Sequence, residues 1–297
     1  MPVAFLYITV VLIWGTTWVT IPYQLGFVAE EWSIAYRFGI GSFLLFAYAH
    51  LTGKKITIAR KQYPLVALMG STLFSINYLF VYYGAGYMPS GLIAVLFSLI
   101  VVFNGIFERV FFGRPFEARM QIAAIVGIGG ISLVFWPEVA GSDFGDQRTT
   151  GVLWVLLAVV IAALANMMAI INTRHELSVV IVNAHAMGWG AMTSILIALV
   201  SGRPMAILLT PEYLWSLLYL SIFGSSIAFV CYLSLLKRIG AARAAFSSVL
   251  FPIVALLMST FFEDFQWTRT AIIGIALTLA GNWLALTKTN AQPDSTK

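Results

Sequence analysis

Few side chains in this sequence can do chemistry, and those few fall in recurring positions. Trp14 and Trp18, Tyr78 and Tyr82, and His185 and Trp189 are each four residues apart. That spacing sets both members of a pair on one face of a helix. Asn77 stands beside Tyr78, while Asn166 and Asn282 sit singly in apolar runs. Ser247 and Ser248 open "FSSVLFPIVALL" (246–257), which carries Pro252 in its middle. A proline inside a helix removes one donor, here the one that would reach the carbonyl of Ser248. In hydrocarbon that carbonyl must find a neighbour, a hydroxyl or water, so Pro252 reads either as a fixed kink or as a hinge beside a wet path.

The chemistry these groups offer is recognition. Indoles stack, amides and hydroxyls hydrogen-bond, and His185 titrates near neutrality or is simply a satisfied hydrogen bonder. Arg37 lies inside an apolar stretch. It either snorkels to the surface or pairs with a carboxylate from a ligand or another side chain. No Gly-rich phosphate loop with a lysine is present, and no His, Cys and carboxylate cluster suits a metal. "FGSS" (223–226) with His185 is the only candidate for a serine hydrolase, and such serines more simply bond the preceding turn. The reading is therefore of a non-enzyme, with no metal and no cofactor.

These residues must be positioned by membrane helices. The chain has 297 residues, of which 60% are hydrophobic and only 10% charged, with a mean hydropathy of +0.92. A water-soluble domain carries about 25% charged residues, so the partner of this surface is a lipid bilayer. Ten apolar runs are near the ~20 residues a span requires: roughly 3–22, 32–51, 64–84, 89–109, 117–136, 150–172, 178–201, 212–236, 240–262 and 267–287. The first reads as a retained span, not a signal peptide. With the N-terminus inside, thirteen Lys and Arg fall in inner connections and the tail, against Arg148, Arg203 and Arg269 outside. Both termini are thus expected in the cytoplasm. The net charge of +5 is explained by these loop caps and gives no case for nucleic acid.

The halves resemble each other. At a shift of 149, Phe74, Phe80, Val81, Tyr83, Gly91, Phe97 and Ser98 meet Phe223, Phe229, Val230, Tyr232, Gly240, Phe246 and Ser247. Five spans is an odd number, so the second half runs opposite to the first. The expectation is an all-α membrane protein in one transmembrane domain. It comprises inverted five-helix repeats at 1–136 and 150–287 and a short cytoplasmic tail at 288–297. Such repeats place a substrate near the midplane between them. Candidate lining residues are Trp14, Trp18, Asn77, Tyr78, Tyr82, Ser98, Asn166, His185, Trp189, Ser247 and Ser248. Pro252 is the candidate hinge, with Gly105, after Asn104, a milder weakness in the partner span. Glycines 127, 129, 130, 274 and 281 read as close-packing sites.

"IWGTTWV" (13–19), "AYRFGIGSFLL" (35–45) and "FPIVALL…FFED" (251–264) resemble the drug/metabolite transporter superfamily, over nearly the whole chain. Within it the chain is similar to ten-helix bacterial exporters of aromatic amino acids. The resemblance implies an inner-membrane secondary transporter that exports Phe, Trp, Tyr and related small aromatic compounds by alternating access, with no oligomer required. It also implies a structural or gating charge at Arg37. The first half departs from the pattern: Val101, Val102 and Phe103 stand where a proline is typical, and Arg114 where an acid is expected. Export of other metabolites or drugs (threonine- or homoserine-like, or cationic) and a non-transporting receptor are the alternatives. All twelve acids lie in loops or near span ends. Transport is then either uncoupled, down a gradient, or coupled through His185.

Overall fold

The computed structural model describes residues 2–113, 118–134, 147–173, 178–239 and 247–286. Among them there is no strand. The first half contains α1 (Val3–Thr20), α2 (Glu30–Leu51), α3 (Tyr63–Ser71), α4 (Asn77–Ala85), α5 (Ser90–Phe97), α6 (Ile100–Phe112) and α7 (Ala118–Val134). The second contains α8 (Gln147–Thr173), α9 (Val179–Val200), α10 (Pro211–Tyr219), α11 (Ala228–Ile239), α12 (Ser247–Phe262) and α13 (Arg269–Leu286). Backbone groups in hydrocarbon have no water to bond, so helices that satisfy their own donors are the available solution.

Among the described residues seven helices are long and apolar enough to cross a membrane: Val3–Gln24, Glu30–Leu51, Arg60–Ala85, Ser90–Phe112, Thr149–Asn172, Val179–Val200 and Pro211–Leu235. The expected spans at 117–136, 240–262 and 267–287 contain the shorter apolar helices Ala118–Val134, Ser247–Phe262 and Arg269–Leu284. The tail at 288–297, Arg114 and most of the 137–149 connection lie outside the described residues. Phe5, Ile8 and Leu12 on α1 are more than half exposed, as are Leu196, Leu199 and Val200 on α9. Such outward apolar faces suit lipid and not water.

Two of the long helices are not α-helical throughout. α3 runs into α4 through a π-helical turn at Thr72–Ile76, and α10 into α11 through a longer one at Leu220–Ile227. Adding the shift of 149 to Thr72–Ile76 lands inside the second segment. A third irregularity separates α5 from α6 at Ser98–Leu99. α6 then runs unbroken through Gly105, so the interruption in this span falls several residues before the expected weak point. Pro252 lies buried within α12, which continues past it. α6 ends at Gly113, whose φ of +67° and amide bond to the Arg109 carbonyl make a left-handed glycine cap.

The halves pack reciprocally. α1 lies against α11 and α12, while α8 lies against α4 and α6. α2 contacts the second π-segment and α9 the first, and α2 and α9 also pack on each other. α7 pairs with α13. There the backbones meet: a Cβ built on Gly130 would stand 2.6 Å from the Gly274 carbonyl oxygen. Hydroxyls tie α9 to its neighbours: Ser42 Oγ donates to the Ala184 carbonyl at 2.7 Å, and the Ser75 and Ser194 hydroxyls meet at 2.8 Å. Each such bond contributes roughly 0.6 kcal/mol in a membrane bundle.

Candidate functional site

Between the halves lies a cavity of about 120 Å³. α1 supplies Trp14, Thr17 and Trp18; α4 supplies Asn77, Tyr78 and Val81; α11 and α12 supply Phe229, Tyr232, Ser247, Ser248 and Phe251. Asn104 and Asn166 contribute from α6 and α8, and Arg37 from α2. Seven of the twenty residues in the wall are aromatic. Trp14 packs on Tyr232 with ring centroids 5.0 Å apart and edge-on to Phe229 at 5.2 Å. Trp18 meets Phe97 at 5.3 Å and stacks on Phe251 at 6.1 Å. The Trp14 indole donates to the Gly224 carbonyl, inside the second π-segment, at 3.3 Å. Indole stacking and a polar tip on one residue suit a site that is greasy but not dry.

Arg37 does not snorkel. Its side chain is 1% exposed and turns inward, where Nε donates to Ser225 Oγ at 3.1 Å. The guanidinium lies 4.5 Å from the centre of the Tyr78 ring and 5.1 Å from that of Phe38. A desolvated cation over an aromatic face gains about 2 kcal/mol. That is comparable with the roughly 2.5–3.5 kcal/mol cost of an arginine at mid-membrane on insertion scales. Among the described residues no carboxylate pairs with it, and Nη1 has no hydrogen-bond partner. Asn77, the first residue of α4 after the π-turn, donates through Nδ2 to the Leu73 carbonyl at 3.2 Å. Its Oδ1 is buried and accepts nothing. Across the cavity Asn166 donates to Asn104 Oδ1 at 3.2 Å.

Seven of the eleven candidate lining residues meet at this cavity: Trp14, Trp18, Asn77, Tyr78, Asn166, Ser247 and Ser248. The other four sit elsewhere. Tyr82 is 1% exposed, and its hydroxyl lies beside the Arg37 guanidinium. Ser98 occupies the break between α5 and α6, donating to the Val95 carbonyl at 2.6 Å and accepting from Asn282 at 2.7 Å. Asn282 thereby glues α13 to that break. His185 lies against Phe46 and Tyr63, and its Nε2 is 2.8 Å from the Ile56 carbonyl. Since a carbonyl only accepts, Nε2 carries the proton there. Trp189 is partly buried on α9, away from the cavity.

Phe229, Tyr232, Phe251 and Asn104 escaped the sequence reading as wall residues. A signal lay in the shift of 149 that aligns the two halves of the sequence. Phe80 and Tyr83 pack on Trp154 of α8, at 5.4 Å each, and their equivalents Phe229 and Tyr232 pack on Trp14 of α1. In each case the residues meet the first helix of the opposite half.

These features define a multi-pass membrane protein with a cavity between its halves. The chain belongs to the EamA-like transporter family, whose sequence model matches residues 1–136 and 149–287. It is 24% identical to the uncharacterized transporter YoaV of Bacillus subtilis (strain 168), covering 92% of this chain and 93% of that one. It is 26% identical to a probable terminal-alkyne amino-acid exporter of Streptantibioticus cattleyicolor, over 74% of this chain and 72% of that protein. One solved crystal structure superposes with a TM-score of 0.71 at 18% identity, covering 95% of this chain and 96% of the other. That likeness shows a shared fold.

Proposed function

We propose that this protein is a secondary transporter exporting Phe, Trp, Tyr and related small aromatic compounds across a bacterial inner membrane. Ten spans form two inverted five-helix halves, with both termini cytoplasmic. The halves rock about the central cavity to give alternating access. The observation that carries the reading is the aromatic wall of Trp14, Trp18, Phe229, Tyr232 and Phe251, enclosing polar groups at the junction of the halves. The family match over both halves supports it, and so does the relative named as an amino-acid exporter.

Uptake of radiolabelled Phe, Trp, Thr and Met into proteoliposomes holding the full chain tests it. Saturable uptake of Phe and Trp well above that of Thr is expected. Uptake of Thr or Met in place of Phe and Trp would move the substrate to other metabolites. No flux of any of the four would favour a receptor. His185 stands away from the cavity on a loop carbonyl, so uptake is expected to persist when an imposed pH gradient is collapsed. Loss of uptake on that collapse would establish proton coupling.

A further inference from the structure

Three buried side chains in the cavity wall carry unmet hydrogen-bonding capacity: Arg37 and Trp18 as donors and Asn77 as an acceptor. Arg37 is 1% exposed, has no carboxylate among the described residues, and leaves Nη1 without an acceptor. Asn77 is 2% exposed and leaves Oδ1 without a donor. Its orientation is fixed by chemistry: the Leu73 carbonyl must face the amide nitrogen. A buried polar group left unpaired is costly, by about 1–3 kcal/mol and more when charged. Persistence of lone donors on Arg37 and Trp18 and a lone acceptor on Asn77 in the same wall therefore calls for a ligand bearing both complements.

From this pairing we infer that Arg37 and Asn77 are the specificity-determining residues for a zwitterionic head group. The guanidinium takes the α-carboxylate and the Asn77 carbonyl accepts from the α-ammonium, while the aromatic wall takes the side chain. The inference rests on the amino-acid reading above and deepens it. Ser225, the rings of Tyr78 and Phe38, and the neutral hydroxyls of Tyr78 and Tyr82 hold Arg37 in place without neutralising it. An anionic site chemistry alone would need only Arg37. An amine site would not place an uncompensated cation beside it.

Calorimetric binding to the purified full chain would use three ligands: L-phenylalanine, 3-phenylpropanoate, which lacks the ammonium, and 2-phenylethylamine, which lacks the carboxylate. Wild type is expected to bind L-phenylalanine about tenfold or more tightly than either half-ligand. Arg37→Gln should weaken L-phenylalanine and phenylpropanoate by roughly 10- to 100-fold and, by removing a like charge, leave phenylethylamine binding as tight or tighter. Asn77→Leu should weaken L-phenylalanine and phenylethylamine and spare phenylpropanoate. Should either variant fail to fold, Arg37→Lys and Asn77→Asp serve instead. The first keeps the charge but loses the planar fork, weakening only carboxylate ligands; the second adds charge and tightens phenylethylamine.

Equal weakening of all three ligands by the Arg37 variants, or half-ligands that bind as tightly as L-phenylalanine, would overturn the inference. If proteoliposomes carry L-phenylalanine yet the ligand classes do not split, the head-group pairing fails and the transport reading stands. If the classes split but L-phenylalanine is not carried, the transport reading alone fails. Wild type that binds none of the three overturns both.

Discussion

A histidine in a membrane span invites a role in proton transfer, and here its surroundings give it a structural one. His185 gives its Nε2 proton to the Ile56 carbonyl and is boxed by the Phe46 and Tyr63 rings. It anchors the connection after α2 and shares no wall with Arg37 or Asn77. His185→Ala is therefore expected to leave the Phe uptake rate within about twofold of wild type, at pH 6 and pH 8 alike. A pH profile flattened by the substitution would restore histidine as a coupling group. The contrast with Tyr78 shows what could be read from the chain alone. The depth of Asn77 and Tyr78 in an apolar run implied a cavity-facing position, and they line one. His185 lies in an equally apolar run, but its partner is a loop carbonyl distant in sequence, and no local pattern encodes that.

At the scale of the helices, glycine placement gives a sharp test. Gly129 and Gly130 are neighbours on α7, yet a Cβ on Gly129 meets nothing within 4 Å while one on Gly130 runs into backbone of α13. Gly130→Leu should destabilise the bundle by about 1–3 kcal/mol, as overpacking does, and Gly129→Leu should be close to neutral. Melting curves in detergent check the pair; equal effects would contradict the observed register. Seven spans and the close packing at Gly130, Gly274 and Gly281 were legible because hydropathy and small residues are properties of composition along a helix, whereas Gly129, expected to pack closely too, faces open space. The π-turns were not. They differ from α-helix by the partner of each amide, a shift of one residue that twenty-residue averages do not register. The break at Ser98–Leu99 was hidden for a similar reason. No proline marks it, and its hydroxyl is held by Asn282 from α13.

For the molecule as a whole, one carboxylate bridges the halves at an end of the bundle. Glu263, just past α12, accepts from the Ser90 amide at 2.9 Å, the Ser90 hydroxyl at 2.7 Å and the Ser259 hydroxyl at 2.6 Å. It caps α5 of the first half from the second half, where an anion at a helix N-terminus is favoured. Glu263→Ala should loosen that end. In a Cys231→Ser background with Phe97→Cys in the cavity wall, an impermeant thiol reagent added on the Glu263 side should react about tenfold faster, given the charged hydrogen bonds lost. An unchanged rate would show that the bridge does not hold that end closed.

The π-turn ahead of Asn77 has a rotational consequence. A π-turn holds one residue more than an α-turn, and each α-helical residue advances the chain by ~1.5 Å and ~100°. If the turn at Thr72–Ile76 relaxed to α-helix, α4 beyond it would have to swivel by about that angle against α3. Asn77 and Tyr78 would leave the cavity together, and other side chains of α4 would take their place. The matching turn at Leu220–Ile227 stands in the same relation to Phe229 and Tyr232. Each half thus carries, immediately before cavity-facing residues, a screw thread with one turn miscut, and a single residue of slippage is enough to change which side chains line the cavity.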